Sequence, residues 1–273
     1  MAVQTTHSMT GLSVQREGGR DVLRSLPEET PVALVFNGTT AAVMMVTPAD
    51  LRDFAFGFAF TEGFITNLDQ VETFEVVTHP AGVEARFWLV DDQAQAMQSR
   101  RRNMLGPVGC GLCGIDSLEQ AIRPLPVLTG FGPLLSRQDV ATATDALRDH
   151  QPLHDQTRAV HAAGFLMPGK GIILAREDVG RHNALDKLIG ALTLAGIDAA
   201  QGAIVLTSRV SVEMVQKTVI AGCSVLIAVS APTAHALRLA QNAKLTLAAF
   251  ARAGGFDVYA HPQRILNGAS DAA

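Results

Sequence analysis

Along the first third of the chain, short apolar runs are separated by turn-forming residues. Residues 31–36 and 41–46 are apolar and partly β-branched, and Asn37-Gly38 between them suits the positive φ angles of a tight turn, which predicts a hairpin. The period then changes. Thr47-Pro48-Ala49-Asp50 offers an N-cap, a proline for the first helical position and an acid for the first turn. Leu51, Phe54, Ala55 and Phe58 follow at helical spacing, and Gly63 is placed to end that helix. Residues 73–78 and 83–90 predict two further strands, joined by His79-Pro80-Ala81-Gly82. The polar stretch 93–102 predicts a short exposed helix, and the glycine-rich stretch 103–114 a loop. The N-terminal stretch 1–19 reads as a frayed start.

From Ser136 onward the texture differs, because helical patterns alternate with short apolar, β-branched runs. Strands are predicted over 171–175, 203–207, 225–229 and 245–250, and helices over 183–194, 212–221 and 234–243. In the first of these helices Leu185, Leu188, Ile189 and Leu192 line one face. Such alternation is the mark of an α/β protein with a parallel or mostly parallel sheet between helix layers. The proline-containing stretch 123–133 is the candidate boundary. It divides a smaller, strand-rich α+β region of residues 1–130, which carries the cysteine loop, from an α/β domain of residues 131–273.

Composition narrows the function. The chain has 273 residues, 48% hydrophobic and 18% charged, enough to bury a full core. A formal net charge of -4 argues against nonspecific nucleic-acid binding through phosphates. No run of about 18 apolar residues is present, and the N-terminus lacks the apolar segment of a signal peptide, so no membrane association and a cytoplasmic location are expected. There are three cysteines, an odd number, two of them three positions apart. That is no disulfide framework; in a reducing compartment such a pair is metal-binding or reactive.

Gly109-Cys110-Gly111-Leu112-Cys113-Gly114 sets two thiols within reach of each other among three glycines. Spacing alone leaves three readings open: a persulfide carrier, half of a zinc site, and a thioredoxin-like redox pair. A second C-x-x-C is missing, and the pair His150 and His154, with Pro152 between them, reads as exposed loop, so no metal site is expected. Gly111 and Gly114 oppose the helix that a thioredoxin-like pair usually begins. Cys223, at a helix-to-strand junction, reads as a small buried hydrophobe.

Three polar loops follow predicted strands and run into helices. They are Arg176-Glu177-Asp178-Val179-Gly180-Arg181-His182-Asn183, Thr207-Ser208-Arg209-Val210-Ser211 and Ser230-Ala231-Pro232-Thr233. Ligands of open α/β sheets bind beyond the carboxyl ends of strands. The free N–H groups of three helix starts, with Arg181 and Arg209, could hold the phosphates of a nucleotide-like ligand. Each loop taken singly is better read as helix caps, with His182 and Asp186, and Asn183 and Lys187, as ordinary i,i+4 neighbours, but three loops on one edge with two Arg among them favour a ligand site. His161, alone in an apolar stretch, reads by itself as a hydrogen-bonded core histidine.

These segments, in this order, resemble the FdhD family, the formate dehydrogenase accessory sulfurtransferases. The likeness is carried by Met45-Val46-Thr47-Pro48-Ala49-Asp50-Leu51, Gly57-Phe58 with Glu62-Gly63, the cysteine loop, the stretch from Arg176 to Lys187, Arg209-Val210-Ser211 with Glu213-Met214 and Lys217, and Pro232-Thr233. It implies a persulfide on Cys110, assisted by Cys113, received from a cysteine desulfurase. The sulfur would pass to the molybdenum bis-guanine-dinucleotide cofactor destined for formate dehydrogenase, with a guanine nucleotide as a possible substitute ligand. The cofactor-binding stretch it implies corresponds to Phe250, Ala251, Arg252, Ala253, Gly254 and Gly255, and it adds His161 to Arg181, His182, Asn183, Thr207, Ser208, Arg209, Ser211, Pro232 and Thr233. It also implies a cytidine deaminase-like, three-layer α/β/α fold for the C-terminal region and a homodimer. The chain departs from the family pattern at Arg158, where a small residue is expected, and at Ser208, where glycine is common. Two other functions compete. A zinc-dependent deaminase needs a Glu two positions after a His or Cys ligand, and neither H-x-E nor C-x-E occurs. A noncatalytic nucleotide-binding chaperone would leave the cysteines structural.

Overall fold

The computed structural model describes residues 4–90, 124–130 and 132–266. Cys110, Cys113, the helix expected over 93–102 and the loop expected over 103–114 lie outside the described residues.

From Thr6 onward the expected frayed start is corrected to regular structure. β1 (Thr6–Gln15) and β2 (Gly18–Pro27) form an antiparallel ribbon, in unbroken register from Thr6 opposite Pro27 to Gln15 opposite Gly18. Met9, Leu12, Val14, Leu23 and Leu26 are all exposed on it, so neither face is buried and no alternation marks the strands in the sequence.

β3 (Thr30–Phe36) and β4 (Thr39–Val46) form the expected hairpin. Asn37 and Gly38 turn it with φ of 46° and 75°, the left-handed pair that matches strand twist. β5 (Val71–His79) and β6 (Gly82–Leu89) form the second, and parallel pairing of β3 with β6 joins them in the order β4-β3-β6-β5. α1 (Leu51–Thr61) packs on this sheet through Phe54, Phe56 and Phe58, among Phe36, Phe64, Phe74 and Phe87. Phe36 stacks on Phe64 and on Phe87, with centroids 4.3 and 4.9 Å apart. The helix starts three residues later than its sequence suggests. Asp50 is the N-cap, in the left-handed region at φ 53°, and Thr47 is used elsewhere.

The larger sheet runs β12-β11-β10-β9-β7-β8. Its strands are β7 (His161–Met167), β8 (Gly171–Asp178), β9 (Ala203–Leu206), β10 (Val225–Ala228), β11 (Thr246–Arg252) and β12 (Gly255–Ala260). Only β9, β10 and β11 pair in parallel; β7 is antiparallel to both β8 and β9, and β12 is antiparallel to β11. The expected mostly parallel sheet is therefore corrected to a mixed one. β7 escaped the sequence reading because its first half holds Ala162, Ala163 and Gly164, small residues without β-branching.

Helices cover both faces of this sheet. α2 (Arg137–Arg148) and α3 (Pro152–Thr157) precede β7. α2 opens with a capping box between Ser136 and Asp139 and buries Val140, Ala143 and Leu147 against Val205, Val225, Ile227 and Ala248. On the other face lie α4 (Arg181–Leu194), α5 (Val212–Ile220) and α6 (Ala234–Asn242). There Leu185, Leu188, Met214, Val215 and Ala236 meet Phe165, Ile204, Leu206, Leu226 and Leu247. Alternate residues of β9 and β10 serve opposite cores, so these short strands are apolar throughout.

α1 and α4 touch backbone to backbone. A Cβ on Gly57 would stand 1.8 Å from the Asp186 carbonyl oxygen, and one on Gly190 would stand 1.9 Å from that of Asp53. Phe60, at the end of α1, packs against both the aromatic core and the core under α4.

Candidate functional site

Because β7 runs opposite to its neighbours, its first residue lies at the same end of the sheet as the last residues of β8, β9, β10 and β11. His161 pairs with Asp178. Thr207 is tied to the start of β7: its N–H donates to Ala162 O at 3.1 Å, and its Oγ1 accepts from Ala162 N at 2.8 Å. The next loops interlock, as Val210 N donates to Ala231 O at 3.1 Å and Thr233 N to Val210 O at 3.0 Å. Phe250 N reaches Ser230 O at 3.5 Å. His161, the start of α4, Thr207, Ser208, Arg209, Ser211, Pro232, Thr233 and the stretch from Phe250 to Gly255 thus line one sheet end.

Their side chains differ in what they are free to do. Thr233 caps α6, accepting from Ala236 N at 3.2 Å. Ser208 is buried, with its hydroxyl donating to Arg209 O, whereas the Arg209 side chain is exposed. Pro232 forms a bridge with Val210. Ala251 is fully buried in the core beneath α2, and its carbonyl accepts from Thr144 Oγ1, so that side chain faces away from solvent. Arg252, Ala253, Gly254 and Gly255 are exposed in the turn between β11 and β12. Phe250 and Ala253 adopt φ of 51° and 52°, a left-handed backbone that side chains resist, where β11 bulges. The Nε of Arg181 is buried and has no hydrogen-bond partner among the described residues.

The motif from Arg176 to Lys187 also ties the chain together. Asp178, wholly buried, accepts from Thr47 N at 2.9 Å, Gly180 N at 2.8 Å and Asn183 Nδ2 at 2.9 Å. Lys187 Nζ completes it at 2.8 Å and also donates to the carbonyls of Thr47 and Glu177. Asn183 donates its second amide bond to Met45 O at 2.8 Å. The pairing of Asn183 with Lys187 as helix neighbours is replaced by a shared hold on Asp178. The pairing of His182 with Asp186 is likewise replaced, for Asp186 binds Lys217 on α5 at 2.8 Å.

Lys217 lies in a second buried cluster, its Nζ donating to Thr61 Oγ1 at 2.8 Å and Glu62 Oε1 at 3.0 Å, while Thr61 Oγ1 donates to Asp186 Oδ1 at 2.8 Å. Burial alone would strip the Lys217 ammonium of its proton, but the charges of Asp186 and Glu62 outweigh it and raise its pKa. Both clusters fasten the first helical region to the larger sheet.

Near the start of α5, Glu213 accepts from Ser211 Oγ at 2.7 Å and stands 3.7 Å from His182 Nε2, in ion-pair range and beyond hydrogen-bonding distance. Burial works against its charge, yet the His182 ring and the Ser211 hydroxyl prevail and bring the carboxyl down to about 2. His161 is pushed the other way for an imidazole. Burial first, then the positive fields of Arg181, His182 and His154, hold it below its usual range, with Asp178 opposing. Glu213 stood in the sequence as part of the family motif but not among the site residues, because what links it to His182 is a tertiary contact. Cys223 is buried as expected, and burial pushes its thiol up to about 11. Arg158, where a small residue was expected, sits at φ 58° as the C-cap of α3, a left-handed position that glycine takes most readily.

Fold and site define a mixed-sheet α/β/α protein with basic and small polar residues gathered at one sheet end, joined to an aromatic-cored, strand-rich lobe. The family profile of FdhD/NarQ matches residues 27–266, and the chain belongs to this family. It is 48% identical over 267 residues to the sulfur carrier protein FdhD of Agrobacterium fabrum, covering 97% of this chain and 98% of that one. To the sulfur carrier protein FdhD of Brucella abortus it is 49% identical over 255 residues, covering 93% and 95%. A crystal structure from Desulfotalea psychrophila, provisionally described as a formate dehydrogenase accessory protein, superposes with a TM-score of 0.74 at 24% identity, over 96% of this chain and all of that one. That likeness is one of fold. No described helix is long and apolar enough to cross a membrane.

Proposed function

We propose that this chain is a sulfur carrier for formate dehydrogenase, holding sulfur as a persulfide on Cys110. The observation that carries the reading is near-full-length similarity to proteins named as sulfur carriers, in a chain whose C-x-x-C lies among glycines. In the loading step the Cys110 thiolate attacks the outer sulfur of a cysteine desulfurase persulfide. A new S–S bond forms at Cys110, and the desulfurase cysteine leaves as thiolate, so no outside oxidant is consumed. Cys113 then resolves the intermediate: its thiolate attacks the Cys110 sulfur, an intrachain disulfide forms, and the outer sulfur departs as hydrosulfide. A dithiol reductant restores the two thiols.

The acceptor, as substrate, is the molybdenum bis-guanine-dinucleotide cofactor before its insertion into formate dehydrogenase. The sheet end suits its pyrophosphates: Arg181 brings a buried Nε without a partner among the described residues, Arg209 is exposed, and helix starts provide N–H groups. The stretch from Phe250 to Gly255 and His161 complete this edge, and a guanine nucleotide would occupy it as a stand-in. We place the carrier in the cytoplasm as a homodimer.

Incubation with a cysteine desulfurase and cysteine, followed by mass measurement of the Cys110 peptide, tests the loading step. The expected gain is about 32 Da, one sulfur atom. No gain, or full formate dehydrogenase maturation by Cys110→Ala, would favour a noncatalytic chaperone instead.

A further inference from the structure

We infer that Glu213 is a positioning residue for His182 at the sheet end, an inference that rests on reading that end as a nucleotide site. Both side chains are 13% exposed. One side of the carboxylate is fixed by Ser211 Oγ, 2.7 Å from Oε2. On the other side His182 Nε2 faces the same oxygen at 3.7 Å, shut off from solvent and without a hydrogen-bond partner among the described residues. A buried ring N–H left without an acceptor costs about 1–3 kcal/mol, so closure of the gap is favoured when the site is occupied. A carboxylate beside one ring nitrogen settles the proton there and sets the ring plane, leaving the other nitrogen for the ligand. By this reasoning the proton belongs on Nε2 and Nδ1 is left for the ligand, next in sequence to Arg181, whose Nε has no partner among the described residues.

Glu213 has an ordinary structural use as well, since an acid in the first turn of α5 complements the helix dipole. That use makes no demand on where the His182 proton sits, and the two roles separate by experiment. With GDP as probe and the full chain as sample, binding is measured for the wild type, Glu213→Gln, His182→Ala and the double variant, and the ring nitrogens of His182 are followed by 15N NMR at one pH. The expected results are a ring proton fixed on Nε2 in the wild type and shared between nitrogens in Glu213→Gln, with GDP affinity down about tenfold in that variant. His182→Ala loses at least as much, and the double variant binds no more weakly than His182→Ala. An unchanged ring pattern in Glu213→Gln, or losses that multiply in the double variant, overturns the inference while leaving the nucleotide reading in place. A wild-type chain that does not bind GDP removes the nucleotide reading itself. If Glu213→Gln does not fold, Glu213→Asp, which keeps the charge but shortens the reach to His182, gives the same signs at smaller size; its failure to do so counts equally against the inference.

Discussion

Lys187 Nζ and Asp178 Oδ2 lie 2.8 Å apart, and neither side chain has any exposed surface. The ammonium also reaches two carbonyls and the carboxylate three further N–H donors, so every lone pair and proton of consequence is used. Such a pair is costly to break from one side only. Lys187→Met strands a buried carboxylate and should destabilise the chain by about 3–5 kcal/mol. Adding Asp178→Asn should restore part of that loss, and urea unfolding of the single and double variants would show it as a coupling of about 1 kcal/mol or more.

The glycine contact between α1 and α4 predicts a sharp steric penalty. Gly57→Ala drives a methyl into the Asp186 carbonyl, and Gly190→Ala does the same at Asp53. Each should cost about 3 kcal/mol or more, because two packed helices would have to separate. Gly11→Ala in the ribbon, whose new Cβ meets only Val22 at 3.9 Å, should stay within about 0.5 kcal/mol of the wild type in thermal unfolding.

Cysteine reactivity should divide cleanly. Cys223 is fully buried and its thiol is pushed up to about 11, so it holds its proton at neutral and mildly alkaline pH. Brief iodoacetamide treatment of the native chain at pH 8 should leave the Cys223 peptide unmodified, and the same treatment in urea should label it. Labelling of the native chain at this residue would contradict the buried placement.

His161 predicts the pH response. Its folded pKa lies below the ordinary 6.5, through burial and the positive charge of Arg181, His182 and His154. The unfolded state therefore binds the proton first. The stability tied to the neutral ring is complete above about pH 6.5 and is lost as pH falls through that value towards the folded pKa. Urea midpoints measured from pH 7.5 to 5 should decline less steeply in His161→Gln than in the wild type.

Elements with local causes were legible. Asn37-Gly38 specified a turn by its backbone preference, and the phenylalanines around Phe54 and Phe58 carried a helical period. What was hidden depends on distant partners. The ribbon of β1 and β2 has no buried face, and the first half of β7, Ala162 to Gly164, is made of small residues that join the sheet only because β8 and β9 flank them. The run from Arg176 to Asn183 was recognisable as special, but its sequence could not say that Asp178 and Asn183 reach back to Thr47 and Met45. Three polar loops at one sheet end were foreseeable from strand direction, whereas the approach of Glu213 to His182 came only through the fold. Cys110 and Cys113 rest on sequence and kinship, being outside the described residues.

Thr61 and Lys217 touch across 156 positions of chain, and Thr47 and Lys187 across 140. A nascent polypeptide makes one member of each couple long before the other. Until the later member arrives, neither polar group has a reason to leave water, and once both are enclosed neither can be withdrawn without the whole yielding. Closure of both clusters therefore waits for the later segments of the chain, and half-made chains differ from finished ones by several ionic groups still hydrated.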